Sequence, residues 1–503
     1  MRLRFDQQIK IDITPISEVE LNLKSRHGLV PVLRALQYVF KTKELNEQIF
    51  GILEKKVGGD LQKTGRYGMS LWEILVLCVV RLTENADFDQ LHDLSNEHNA
   101  LRGILGIQKN DYTKGKEYSL QSIKDNFRLL DDATIYELSE IVVSGSHGLI
   151  KKKEGVDCLN LQIKGDSFVV ESNIHFPTDL NLLWDSLRKV LETMGCLQQY
   201  SGQLFSTCHR SKWLKKARSK YRSSSEIHRK KGRNYEPRLE KSVTEYLEVG
   251  RSIEKRAKLL IAQIAVNESF KEGLTKVGKD KLNDLLFYQS MVTKHLDLVN
   301  RRILLKEKIP HSEKIFSIFE EHVEWNSKGK ANKLVELGHN VLIATDQYHF
   351  ILHGEVYEHQ VDKQRTIALG KKLEEKYQST EKLESISLDR NFYSLPAETD
   401  LSKRFKIVVL PKSGRKSKLE LAQSENAEYQ KLKQSHSGIE GNINQLEQNG
   451  LDICRDKGIV GFKRYVAYGI LSYNLHRMGK LLILADRAGL KKRRKPKRIA
   501  LAA

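Results

Sequence analysis

The sequence predicts an α/β protein: a mixed sheet covered by helices, preceded by a helical region and split by a helical insertion. Three observations carry this. Short strand-like runs recur after residue 156, helical periods alternate with them, and the stretch from about 200 to 334 changes composition.

Residues 1–150 read mostly helical. Ser70-Leu71-Trp72-Glu73 has the Ser-x-x-Glu form of a capping box and opens a helix through Leu77, Val80 and Leu82. Phe88, Leu91 and Leu94 keep helical spacing, as do Ile123, Phe127 and Leu130. A DNA-binding helical domain and a bundle that merely packs both fit this region. The period then changes to two: Leu159, Leu161 and Ile163 alternate with Asn160, Gln162 and Lys164. Leu180, Leu183, Leu187 and Val190 return to helical spacing, so residues 151–200 read as a first core strand and its helix. A basic insertion follows over 201–334. Its long patterns, Leu239 to Ile264 and Leu282 to Leu305, suggest an antiparallel helical hairpin.

The core resumes over 335–485. Val341–Ala344 and Phe350–Leu352, with Asp346-Gln347 between them, predict a β-hairpin. A helix from Lys363 to Tyr377, a strand Leu383–Leu388 and a strand Phe405–Leu410 stopped by Pro411 come next. Helices from Ser437 to Gln448 and from Phe462 to Ala485 close the core, and 486–503 form a basic tail. This order suits a mixed five-stranded sheet with flanking helices.

Bulk properties narrow the partner. The chain is long enough for about two to four domains. Its formal net charge is +21, which favours a polyanion, either nucleic acid or an anionic membrane surface. The longest apolar run, Leu71 to Val80, is interrupted by Glu73, so no bilayer span is expected. The opening Met1-Arg2-Leu3-Arg4-Phe5-Asp6 lacks an apolar signal region, and a cytoplasmic, nucleoid-associated protein is the expectation. Cys78, Cys158, Cys196, Cys208 and Cys454 form no C-x-x-C pair, which fits a reducing compartment and argues against a zinc finger.

Positive charge concentrates between His209 and Arg233. Arg210, Lys212, Lys215, Lys216, Arg218, Lys220, Arg222, Arg229, Lys230, Lys231 and Arg233 stand against one acid, Glu226. Such cations neutralise DNA phosphates and release counterions. The interleaved Trp213 and Tyr221, with Tyr235, are candidates to stack on unpaired bases. A solvated charged face is the alternative reading. The tail Lys491–Arg498 is a second basic stretch, suited to non-specific affinity.

Three carboxylates carry the chemistry: Asp166, Asp389 and Glu440. Phosphodiester cleavage needs a nucleophile in line with a leaving 3′ oxygen, and two Mg²⁺ ions can serve both. Magnesium keeps several waters, so two or three converging carboxylates suffice to bind it. Asp389 ends a buried strand, where open α/β sheets bind ligands. Asp166 follows Gly165, which permits close approach of backbone or ligand. Glu440 lies off the apolar face of Ile439, Ile443 and Leu446. Each has a plainer alternative. Asp166 shares parity with solvent-facing Asn160, Gln162 and Lys164; Asp389 fits a turn; Ser437-Gly438-Ile439-Glu440 fits a capping box. Asp179, Asp346, His175 and His436 read as turn residues, Glu425 and Glu428 compete with Glu440, and Cys208-His209 lacks partners at metal-ligand spacing.

Three blocks resemble the DDE transposases of bacterial insertion sequences. The first is Gly165-Asp166-Ser167 through Asn173-Ile174-His175-Phe176-Pro177-Thr178-Asp179-Leu180. The second is Leu388-Asp389-Arg390-Asn391-Phe392-Tyr393-Ser394, with Asn391 in place of the usual glycine. The third is Ser437-Gly438-Ile439-Glu440-Gly441-Asn442-Ile443, followed by Tyr473-Asn474-Leu475-His476-Arg477-Met478-Gly479. Residues 70–145 are also similar to the N-terminal domain of these enzymes. One branch of the family has Arg four residues before its glutamate and Lys seven after; here these are His436 and Glu447.

The resemblance implies a ribonuclease-H-like core and a triad of Asp166, Asp389 and Glu440 holding two Mg²⁺, with Mn²⁺ as a substitute. It implies cleavage at the element's ends and strand transfer into target DNA. The implied partners are double-stranded DNA (terminal inverted repeats and target) and a second copy of the chain, with no membrane. Two alternatives stay open: a nuclease without strand transfer, and a transposase-derived DNA-binding protein that no longer catalyses.

Overall fold

A computed structural model describes residues 2–5, 13–57, 68–108, 115–201, 209–327, 334–412, 414 and 425–494. Cys208, residues 495–498 of the basic tail and the side chains of 491–494 lie outside the described residues. The chain is mixed α/β and forms two compact units, Met1–Asn173 with Glu324–Ala503, and Ile174–Val323.

In the first unit, helices α1 (Leu29–Lys41), α2 (Lys43–Val57), α3 (Leu71–Thr83), α4 (Phe88–Glu97), α5 (Asn99–Leu105), α6 (Leu120–Phe127) and α7 (Asp132–Glu154) precede strand β1 (Asn160–Ser172). The capping box at Ser70 is formed: its side chain accepts the Glu73 amide and Glu73 accepts the Ser70 amide. Every residue of α3 is buried, as expected of a helix apolar nearly all round. Arg81 is buried there with its guanidinium 2.8 Å from Asp456 and 3.9 Å from the Phe88 ring centroid.

The second unit holds α8 (Asp179–Ser201), α9 (Arg210–Lys230), α10 (Tyr235–Ala265), the short α11 (Glu268–Gly273) and α12 (Lys276–Val299). The chain then returns through β2 (Glu324–Ser327), β3 (Val335–Thr345), β4 (Ile351–Tyr357), α13 (Asp362–Tyr377), β5 (Lys382–Leu388), α14 (Leu395–Leu401) and β6 (Ile407–Val409). Helices α15 (Ala427–Ser435) and α16 (Gly438–Leu446), strand β7 (Ile453–Cys454) and the long α17 (Gly458–Arg494) finish it.

The sheet among the described residues has seven strands along the path β2-β3-β1-β5-β6, with β4 on β3 and β7 on β1. β3 runs antiparallel to β1, β2 and β4, whereas β5 runs parallel to β1 and β6 parallel to β5. Short β2 and β7 extend edges that β4 and β5 leave open, because β2 pairs with β3 at Val335–Gly338 and β7 pairs with β1 at Glu171–Ser172. The five strands expected from the sequence are therefore β1, β3, β4, β5 and β6.

One apolar core runs from α1 through the sheet to α17. The long C-terminal helix packs against α1, α3, α7 and β4, so the N-terminal helices share the core of the sheet. α8 belongs to the second unit: Leu183, Leu187, Val190 and Leu191 join a separate core with Tyr246, Ile253 and Val292. The boundary expected at 200 thus falls at Asn173, because α8 buries its apolar face against α9, α10 and α12.

Candidate active site

The register between β1 and β5 organises the site. Lys164 pairs with Ser387 and Gly165 with Leu388. The next position along each chain is Asp166, midway along β1, and Asp389, the residue after β5, so the register runs from one aspartate towards the other at the C-terminal end of β5. Gly165 has a packing reason. A Cβ there would lie 2.5 Å from Leu388 Cδ2, so the absent side chain serves the buried seam.

Asp166 is half-buried and its Oδ1 accepts the Ser167 amide at 2.7 Å. On its face of β1 the cover increases along the strand: Asn160 and Gln162 are exposed, Lys164 and Asp166 half-buried. Tyr357 lies near Asp166; burial and then the Asp362 carboxylate push its phenol up, and Asp166 adds to this. Asp389 is exposed. It begins the single turn Arg390–Phe392, but its side chain does not cap that turn.

Glu440 is exposed in the first turn of α16. The capping box at Ser437 is not formed. Ser437 has helical backbone angles, and its hydroxyl donates to the Gln434 carbonyl at 3.0 Å. The Glu440 carboxylate is thereby left out of a capping role.

His436 connects this helix to the strands. Its Nδ1 lies 3.0 Å from Ser387 Oγ. Burial holds the imidazole below its ordinary value; Asp389 and Glu440 oppose this, and Lys164 adds to it. A Cβ placed on Gly438 would lie 3.2 Å from Lys164 Nζ. His436 and Gly438 therefore seat the glutamate helix over the Lys164–Ser387 pair, two positions before the two aspartates. Among the described residues, however, no group of three or more His, Cys, Asp or Glu is gathered into a metal-binding cluster. Asp166 and Asp389 each follow the last register pair of β1 and β5, Gly165 with Leu388, and Glu440 stands on α16.

A second layer of contacts fixes α16. Asn442 Oδ1 accepts the Tyr473 hydroxyl at 3.0 Å and lies 3.0 Å from His349 Nδ1, while its Nδ2 donates to Thr345 Oγ1. Gln445 Nε2 is 2.9 Å from His476 Nδ1. Burial, with Lys480 and Arg477, pushes His476 down to about 4, so the ring is a neutral acceptor. Asp346 is a turn residue, as expected, and more. It accepts the Tyr348 and Phe350 amides and is bound at 2.8 Å by buried His147. Lys164, Ser387 and His349 carried no signal in the sequence beyond the position of Lys164, two before Asp166 on one strand face.

The remaining candidates fall elsewhere. Glu425 and Glu428 are exposed at the start of α15. In the second unit Asp179 pairs with Arg302 at 2.9 Å and His175 with Asp185 at 3.3 Å. There the basic helix α9 exposes Arg210, Lys212, Lys215, Lys216, Arg218, Arg222, Arg229 and Lys230, followed by exposed Lys231 and Arg233. Lys220 is half-buried and paired with Glu245. Lys230 pairs with Glu226.

The aromatics of this helix, Trp213 and Tyr221, are half-buried and engaged within the unit. Tyr221 stacks on Trp184 at 5.7 Å and its hydroxyl bonds Asn181. Trp213 carries Arg256 at 4.8 Å and Lys216 at 5.5 Å, and it packs on the core of the unit with Tyr235. Their rings build the underside of the basic face. No helix among the described residues is long and apolar enough to cross a membrane.

No protein-family model, curated protein or solved structure matches the chain.

Proposed function

We propose that the chain is a DDE transposase whose sheet is a ribonuclease-H-like core, with Asp166, Asp389 and Glu440 as its acidic residues. The observation that carries this is the register of β1 on β5, which sets Asp166 beside Asp389 at the end of a parallel strand pair. The element order adds support, since an antiparallel meander of β1, β3 and β4 is followed by β5 and β6 parallel to β1.

The donors suit magnesium, because Asp166 and Asp389 offer hard oxygen ligands from adjacent strands. Bound there, the ion would raise the nucleophile's reactivity and stabilise the charge on the leaving oxygen. The chain's own part is placement. The middle of β1 and the end of β5 carry the two aspartates, and α16 carries Glu440 on a helix anchored through His436 and Asn442.

In the first reaction a water oxygen attacks the phosphorus, the bond from phosphorus to the 3′ oxygen breaks, and a 3′ hydroxyl is freed. In the second, that hydroxyl attacks a phosphorus of the target strand and displaces its 3′ oxygen. Both are in-line phosphoryl transfers, so one site serves both. The exposed cations of α9 are the DNA-contacting face in this reading.

The test uses labelled DNA carrying the terminal repeats of the flanking element, incubated with the full chain in Mg²⁺ or EDTA beside Asp389→Ala. Metal-dependent nicking and joining, absent from the variant, is the expected result. Nicking without joining selects a nuclease. Salt-sensitive binding without cleavage, equal in both proteins, selects a non-catalytic DNA-binding protein.

A further inference from the structure

We infer that Lys164, whose ammonium lies beside Gly438 at the start of the glutamate helix, contacts a DNA phosphate in the candidate active site. The inference rests on the transposase reading and adds a residue that the acidic triad does not include.

Lys164 lies two positions before Asp166 on the same face of β1, and its register partner is Ser387, two positions before Asp389. It is thus the cation of the seam from which both aspartates emerge. Its ammonium reaches the first residue of the glutamate helix, where Gly438 leaves it 3.2 Å from the place a Cβ would take. On the other side Ser387 is engaged by His436 at 3.0 Å. One half-buried lysine therefore lies between Ser387 of β5 and the first residue of α16, two positions before Asp166 on β1.

A cation in this position calls for an anion. Half-burial penalises an ammonium, and such groups are ordinarily paired. Among the described residues no ion pair joins Lys164 to a carboxylate. Asp346 exerts the attraction that offsets its burial, but that carboxylate already binds His147 at 2.8 Å. A phosphate arriving at the middle of β1, beside the C-terminal end of β5, would supply the missing charge. Lysine suits that task as a compact point charge with three donors. Its contact would strengthen as negative charge develops on the phosphoryl oxygens, which is the differential binding that raises a rate.

The experiment compares the full-length wild type with Lys164→Met, Lys164→Arg and Asp389→Ala. It measures single-turnover cleavage of labelled end DNA at saturating protein in Mg²⁺, the affinity for the same DNA in EDTA, and the melting temperature. Lys164→Met is expected to slow cleavage by about 100-fold or more, the scale of losing one transition-state donor. Its affinity should stay within about threefold, because one phosphate contact among many is lost. Lys164→Arg should restore cleavage to within about tenfold of wild type, which a purely structural role for the lysine stem would not require.

Wild-type cleavage by Lys164→Met alongside an inactive Asp389→Ala overturns the inference and leaves the transposase reading standing. Equal cleavage by wild type and Asp389→Ala, or none by wild type in Mg²⁺, overturns the reading and the inference together. Should Lys164→Met melt early, Lys164→Gln replaces it. An active Arg variant beside an inactive, folded Gln variant supports the contact; equal activities overturn it.

Discussion

The β1–β5 seam and the outer face of α9 are both polar surfaces built on a packed underside, yet they are held in opposite ways. At the seam the groups beneath the exposed Asp389 and Glu440 have assigned places. Lys164 is set by register against Ser387, Ser387 by His436, and Asn442 by Tyr473, His349 and Thr345. On α9 the aromatic rings are tied down while the cations above them stand exposed. Chemistry on one phosphorus atom requires position, so the seam is fixed by contacts. Attraction to a phosphate backbone requires charge number, so the helix needs only a rigid base.

The largest expected effect breaks the fixed region at its support. Asp456→Ala leaves Arg81 buried without its carboxylate, between α3 and the segment before α17. Loss of one partner of a buried pair costs about 3–5 kcal/mol. Chemical denaturation should show that loss, and a change below about 1 kcal/mol would mean that water reaches Arg81.

Acidification probes the same region more gently. His476 has a folded value of about 4 against an ordinary 6.5, so the unfolded chain takes up its proton first. Its contribution to stability is complete above pH 6.5 and is lost as pH falls from there towards 4. The loss amounts to at most roughly 3 kcal/mol. His476→Gln removes this titration. Urea unfolding at pH 7 and pH 4.5 should therefore show a smaller drop for the variant than for wild type. Equal drops would place the proton uptake elsewhere.

The smallest effect on stability is expected on α9. Replacing Lys215, Arg218 and Arg222 together by alanine should change unfolding free energy by under about 1 kcal/mol, since all three are exposed. DNA binding should nevertheless respond: the slope of log affinity against log salt should fall by roughly 3 if each contacts a phosphate of duplex DNA. An unchanged slope would move the DNA-contacting face to another surface.

The same contrast explains what was legible in the sequence. β1 and the flanking helices announce themselves by period, because each buries one face, whereas β3, β4 and β5 are buried on both faces over much of their length and show as short apolar runs. β2 and β7 have four and two residues and too little pattern to read. The allegiance of α8 is hidden, because an apolar stripe shows that a helix packs but not on what. Asp166, Asp389 and Glu440 stand out as carboxylates in three recognisable blocks, whereas Lys164 beside Ser387 is a fact of strand register between segments far apart in sequence. The packing of Trp213 and Tyr221, read as base-stacking candidates, is hidden for a related reason. Aromatics among lysines look available until Trp184, Asn181 and Arg256, from other parts of the unit, come to cover them.

The central claim is that Asp166 and Asp389 form one site. The most direct measurement is the rate of Mg²⁺-dependent end cleavage by Asp166→Asn, Asp389→Asn and the double variant, with melting temperature as a control on folding. Residues that act as a unit are non-additive. Each single variant should lose about 10³-fold or more, several kcal/mol of transition-state stabilisation, and the double variant should lose no more than either. Losses that multiply in the double variant, or a wild-type chain with no cleavage to lose, would contradict the account.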